Sequence, residues 1–169
     1  MTTNFDHVLR WACPDLADLA IWNVEAKHAQ AIALGGALRH PTLWYLHGNI
    51  DDVDRIVLGP EGFAQLYEKN QYRAAITLLR DLLASRKFLF VGFSLDDTYF
   101  LDQLAWVRDT FGGFIGPHYA LTRRREAPSV RSRVRGHNLP IRVVEFEDFG
   151  PPLLDVLRQI RDCAHLHSE

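Results

Sequence analysis

A histidine set between an apolar run and a glycine can carry acid–base chemistry at a turn. Leu43-Trp44-Tyr45-Leu46 leads into His47-Gly48, and an acidic turn with Asp51 and Asp52 follows. Imidazole gains and loses a proton near neutral pH, which suits a general base. Gly48 allows a tight turn or the close approach of backbone to a ligand. The plainer alternative is a histidine that ends a strand and hydrogen-bonds to backbone, and a lone histidine favours it.

Two companion segments have the same character. In Thr2-Thr3-Asn4-Phe5-Asp6, one residue separates Asn4 from Asp6. Their side chains share a side if the segment stays extended. An amide beside a carboxylate can hold a ribose hydroxyl, a carboxamide or a water. Equally, either residue can cap a helix that starts at Val8-Leu9. The second segment is Phe90-Val91-Gly92-Phe93-Ser94-Leu95-Asp96-Asp97. A small residue and a hydroxyl at a strand-to-helix turn suit a phosphate or ribose, helped by the next helix N-terminus. The alternative is an ordinary turn with an aspartate cap.

Other clusters weigh less. Arg123, Arg124, Arg125, Arg131, Arg133 and Arg135 form a dense basic group that can bind phosphate or single-stranded nucleic acid. No aromatic residues interleave for base stacking, so a solvated loop or helix face is expected. Cys163, His165 and His167 lie at the chain end with no fourth ligand nearby, which argues against a metal site. Cys13 and Cys163 are expected to be reduced thiols.

The elements that must position these residues follow from patterning. The chain has 169 residues, of which 47% are hydrophobic, with a formal net charge of −2. That is one domain by size, spanning 1–169, with a real core. The charge predicts no general attraction to nucleic acid or an anionic membrane. No stretch is long and apolar enough to span a bilayer, and no signal pattern opens the chain, so a cytoplasmic location is expected. Residues 15–38 are Ala-rich and read as a helix. Residues 42–46 read as a strand and residues 56–58 as a short extended piece. Gly59-Pro60 opens a helix, with proline in the first turn. Tyr72, Ala75, Ile76, Leu79, Leu82 and Leu83 share one helical face. Residues 88–91 form a continuous apolar run, typical of a strand buried on both sides. Asp96 or Asp97 caps the next helix, with Phe100, Leu101, Leu104 and Val107 on its inner face. Residues 118–121 and 141–146 are further strands. Leu153, Leu154, Leu157 and Ile160 line a last helix. The alternation of strand and helix predicts an α/β, Rossmann-like, doubly wound and mostly parallel sheet. Its ligand crevice lies at the carboxyl ends of the strands, where all three motifs fall.

The motifs, in this order, resemble the sirtuin-like NAD-binding domain family, and its bacterial NAD-hydrolase and antiviral-defence branch more than the deacetylases. Thr2-Thr3-Asn4-Phe5-Asp6 is similar to a Thr-Thr-Asn-Tyr-Asp motif, and residues 45–52 to a Leu-His-Gly-Ser/Asn motif. Residues 92–95 are similar to Gly-Thr/Tyr-Ser-Leu, with Phe93 in place of the hydroxyl residue. The resemblance implies NAD as substrate, cleaved to nicotinamide and ADP-ribose. It implies Asn4, His47 and Asp6 as catalytic, with Thr3, Gly48, Gly92, Ser94 and Leu95 holding the dinucleotide. No four-cysteine module is present, so zinc is not expected and deacylation recedes. ADP-ribosyl transfer and a non-catalytic module binding NAD or ADP-ribose are the alternatives. Met1 stands just before the first motif, so the family's first strand and Gly-Ala-Gly loop are absent from this sequence. A complementing N-terminal segment or a homo-oligomer is the expected partner.

Overall fold

The structure is a computed structural model that describes residues 1–13, 19–24, 42–69, 72–113 and 115–165. The chain forms two compact units, Met1–Asp81 and Leu82–Glu169.

In the first unit, β1 (Ala20–Trp22) pairs in parallel with β2 (Thr42–Trp44), with Ala20 opposite Thr42 and Trp22 opposite Trp44. The N-terminus adds a rung on the far edge of β2. The Thr2 N–H donates to the Trp44 carbonyl at 2.8 Å, and the Leu46 N–H donates to the Thr2 carbonyl at 3.0 Å. Thr2 thus makes an isolated parallel bridge to Tyr45. A short helix α1 (Val8–Trp11) follows. After β2 come a 3-10 turn (Val53–Arg55) and an extended stretch through Ile56 and Leu58. Then α2 (Gly59–Tyr67) starts with proline in its first turn, where a missing N–H costs nothing. Leu43, Trp44, Tyr45, Leu46, Val57 and Leu66 are buried as this unit's core. Helix α3 (Arg73–Ser85) carries the division between the units, and Ala75, Ile76, Leu79 and Leu83 are buried along it.

One expectation is corrected here. Residues 15–38 do not form a continuous helix, because Ala20–Trp22 is a strand. Pairing with β2 gives the backbone of Ile21 and Trp22 ladder partners, and this outweighs the local helical preference of the surrounding alanines. The remainder of that expected helix lies, apart from residues 19–24, outside the described residues.

The second unit is a parallel sheet in the order β3 (Leu89–Val91), β4 (His118–Arg123), β5 (Ile141–Phe146). Helix α4 (Thr98–Thr110) joins β3 to β4, and α5 (Ala127–Gly136) joins β4 to β5. Parallel neighbours need such crossovers, which is why strand and helix alternate in the sequence. Asp97 caps α4 as expected, accepting from the Phe100 N–H at 3.1 Å. The predicted inner face of α4 is buried throughout: Phe100, Leu101, Leu104 and Val107. Helix α6 (Pro151–His165) closes the unit, with Leu154 and Ile160 of its apolar stripe exposed.

β3 departs from expectation. Only Phe90 is buried, while Leu89 is 39% exposed and Val91 46%. The run is apolar because Phe90 faces the core, where it meets Phe93, Phe100 and His118. Its neighbours point the other way, on a strand whose one partner among the described residues is β4. The architecture is otherwise the anticipated one: parallel sheets flanked by helices, of Rossmann-like type.

Candidate functional site

The histidine motif sits where β2 ends. His47 is buried, with 5% exposure, and its Nε2 lies 3.0 Å from the Tyr67 hydroxyl at the end of α2. The Phe63 ring, one turn earlier on α2, meets the imidazole edge-on with centroids 5.1 Å apart. The His47 carbonyl accepts from the Val57 N–H at 2.8 Å, so the extended stretch holds the backbone that α2 holds by side chains. Gly48 makes this fold possible. Its φ is +86°, and a Cβ there would lie 2.5 Å from the Arg55 carbonyl oxygen. No side chain fits at that distance, so the glycine is required by backbone geometry.

The N-terminal motif runs beside this turn. The Ile50 N–H donates to the Phe5 carbonyl at 3.0 Å, which ties residues 2–5 to residues 45–50. Asn4 is exposed, and its backbone N–H donates to Thr2 Oγ1 at 3.1 Å. Thr3 is half-buried in the same segment. Asp6 Oδ1 accepts from the Val8 N–H at 3.0 Å, so this carboxylate turns the chain into α1. Tyr45 is fully buried just before the motif, and its hydroxyl is held above its usual pKa, first by burial and then by the Asp6 charge.

In the second unit, the third motif opens a cavity of about 350 Å³ at the carboxyl ends of β3, β4 and β5. Gly92, Ser94 and Asp96 line one wall, from the turn after β3. Thr122 and Arg123 at the end of β4, with Glu126 and Arg133 of the following turn and α5, line another. Phe146 and Phe149 supply aromatic surface. This is the edge at which open α/β sheets bind ligands. Gly92 has φ +66°, with no atom within 4 Å of where a Cβ would stand. Leu95 also lies in the left-handed region, at φ 56°, with its side chain fully buried. A branched-chain residue there is strained, and its buried side chain holds the turn closed. Leu95 itself is not among the residues that line the cavity.

Two arginines of the basic cluster belong to this cavity rather than to a solvated face, which corrects the expectation for them. Arg133 donates to the Ser94 carbonyl at 2.9 Å and pairs with Asp96 Oδ1 at 2.7 Å. Arg123 pairs with Glu126, lies 3.8 Å from Asp148, and stacks over Phe149 at 4.5 Å from the ring centroid. Arg123 holds the Glu126 carboxyl below its ordinary value by hydrogen bonding and charge. Arg124 and Arg131 pair outside the cavity, with Glu145 and Glu147 or with Glu145. Sequence reading missed Arg123, Arg133 and Tyr67. Arg123 had a local signal, since it ends a recognisable strand. Arg133 stands 39 residues from Ser94, and Tyr67 stands 20 from His47. Only folding joins such pairs. Among the described residues, no group of three or more His, Cys, Asp or Glu gathers to hold a metal, and no helix is long and apolar enough to cross a membrane. His167 and the His165 side chain lie outside what is described.

Comparison with known proteins agrees with this picture. The chain is similar to an NAD(+) hydrolase ThsA of Enterococcus faecium, 25% identical over 181 residues, covering 95% of this chain and 37% of the relative. It is also similar to an NAD(+) hydrolase ThsA of Cytobacillus dafuensis, 29% identical over 124 residues, covering 73% of this chain and 24% of the relative. The chain thus spans little more than a third of the length of these curated relatives at most. Residues 1–142, which hold all three motifs, match the family described as SIR2-like domain. The chain is therefore a member of the SIR2-like domain family.

Proposed function

We propose that this chain cleaves NAD at the bond between nicotinamide and ribose. The observation that carries the reading is His47: an imidazole at a strand end, held by Tyr67 and Phe63, beside a glycine that no other residue can replace. The relatives named as NAD(+) hydrolases support it.

The reaction is hydrolysis. The C1′–N bond breaks and its electron pair stays on the ring nitrogen, which neutralises the pyridinium and makes nicotinamide a usable leaving group. The ribose passes through a state resembling an oxocarbenium ion, as in glycoside cleavage. A water oxygen then bonds to C1′ and releases its proton to solvent, leaving ADP-ribose. His47 acts as base toward a ribose hydroxyl, with Tyr67 fixing the imidazole plane. Asn4 orients the water, and Asp6 lies near the carboxamide. Thr3 and Gly48 bring backbone close to the ligand. In the second unit, Gly92 and Ser94 hold nucleotide in the cavity at the sheet edge. Antiviral defence is the biological setting we propose, on the branch that the motifs resemble.

A second reading is a nucleotide-binding module without turnover. The bond from Val8 to Asp6 favours it, because that carboxylate already serves the backbone. Nicotinamide release from NAD by the purified chain separates the two. The cleavage reading expects release that falls at least a hundredfold in His47→Ala, with unchanged circular dichroism. NAD binding without release by the folded wild-type chain would establish the binding module instead.

A further inference from the structure

We infer that His7 and Asp51 are positioning residues, whose hydrogen bond clamps the segment carrying Asn4 and Asp6 onto the turn that follows His47. The inference rests on the reading that Asn4, Asp6 and His47 serve NAD cleavage, and it adds the pair that fixes them relative to one another.

The segment from Thr2 to His7 is tied to β2 and the turn after it at three places. Thr2 makes backbone hydrogen bonds with Trp44 and Leu46, at 2.8 and 3.0 Å. The Phe5 carbonyl accepts from the Ile50 N–H at 3.0 Å. His7 Nε2 lies 2.9 Å from Asp51 Oδ1. The first two ties are backbone bonds that most side chains permit. Of the three, the last alone depends on residue type. Asn4 and Asp6 are both exposed, and Asp6 stands between the anchors at Phe5 and His7. With the His7 anchor gone, Asp6 and α1 are free to swing about Phe5.

Both members of the pair are themselves held. The His7 ring meets Trp11 and Tyr45 edge-on, with centroids 5.9 and 6.4 Å apart, which fixes its plane. Its Nδ1 is buried and has no hydrogen-bond partner among the described residues. A carboxylate only accepts, so the hydrogen of the bond sits on Nε2. Asp51 is presented by buried Asn49, whose Oδ1 accepts from the Asp51 N–H at 3.0 Å. Arg10 approaches the other Asp51 oxygen at 3.9 Å, too far for a hydrogen bond. The Asp51 side chain is 61% exposed, and a contact so open to solvent adds little to stability. Its effect is on geometry, where a misplacement of about 1 Å can cost about a hundredfold in rate.

The test measures nicotinamide release from NAD and calorimetric binding of ADP-ribose by the full chain. The variants are His7→Phe, His7→Gln, Asp51→Ala and the double variant His7→Phe/Asp51→Ala. Phenylalanine keeps the ring contacts and removes the donor, whereas glutamine keeps an N–H for Asp51. ADP-ribose has no nicotinamide, so its binding does not draw on the placement of Asp6 at the carboxamide. The expected result is a kcat at least tenfold lower in His7→Phe and in Asp51→Ala, with ADP-ribose affinity within threefold of the wild type. His7→Gln should keep at least a third of the wild-type kcat. The double variant should lose no more than either single one, because both act through one bond. A wild-type kcat in folded His7→Phe or in folded Asp51→Ala would overturn the inference and leave the NAD reading intact. So would a glutamine variant as slow as the phenylalanine one, losses that multiply in the double variant, or ADP-ribose affinity that falls in step with kcat. Should His7→Phe fail to fold, exposed Asp51→Ala decides by the same two measurements. Wild-type chain that binds ADP-ribose and releases no nicotinamide would overturn the cleavage reading and the inference together.

Discussion

At the scale of single residues, Gly48 and His118 are the most exacting positions. Gly48→Ala places a Cβ against the Arg55 carbonyl and forces a positive φ on an L residue. Strain of this kind costs about 1–3 kcal/mol. Urea unfolding should show a loss of that size or more, and an unchanged midpoint would mean that the turn does not require glycine. His118 is fully buried at the start of β4, with Nδ1 accepting from the Phe88 N–H at 3.2 Å. Its Nε2 has no hydrogen-bond partner among the described residues, and burial lowers its pKa from the ordinary 6.5. The folded state therefore binds this proton less readily than the unfolded state does. The stability linked to it is complete above about pH 6.5 and is lost as pH falls below 6.5 toward the lowered folded value. Thermal melts from pH 8 to pH 5 should slope downward with acid. His118→Asn, which can still accept from Phe88, should flatten that slope even if it lowers the melting temperature throughout.

At the scale of elements, α4 decides how the third motif is presented. Its cap, Asp97, follows directly on the cavity residue Asp96. Asp97→Ala leaves the Phe100 N–H without its acceptor and should cost about 1 kcal/mol. Leu104 is fully buried in the middle of the helix, and Leu104→Ala should cost about 2–5 kcal/mol. Denaturant midpoints for the two variants should therefore fall in that order, and a larger loss from the cap would reverse the account of what holds α4. The same helix shows why the core was legible: its inner face recurs at helical spacing, and burial follows period. β3 shows the limit of that reasoning. A run of apolar residues has no period, so it cannot report that Leu89 and Val91 of β3 are left exposed.

At the scale of the whole molecule, a ligand that binds the folded chain alone must stabilise it. NAD at a hundred times its dissociation constant should add about 2.7 kcal/mol. The wild-type melting temperature should rise with NAD concentration, and a flat response would count against NAD binding altogether.

The motifs, their order and the helix-strand alternation were determined by the sequence alone, because hydrophobic period, turn chemistry and caps are local properties. Family membership was legible for the same reason: short motifs at strand ends keep their residue types. Tertiary structure alone decided the rest. It made a strand of Ala20–Trp22, because a parallel partner can outweigh local helical preference. It brought Tyr67 to His47 and Arg133 to Ser94 and Asp96, across separations that no local pattern encodes. It also turned two members of a basic cluster from surface charge into the paired wall of a cavity. Which charge meets which depends on the packing of helices on a sheet, and that is a property of the folded chain.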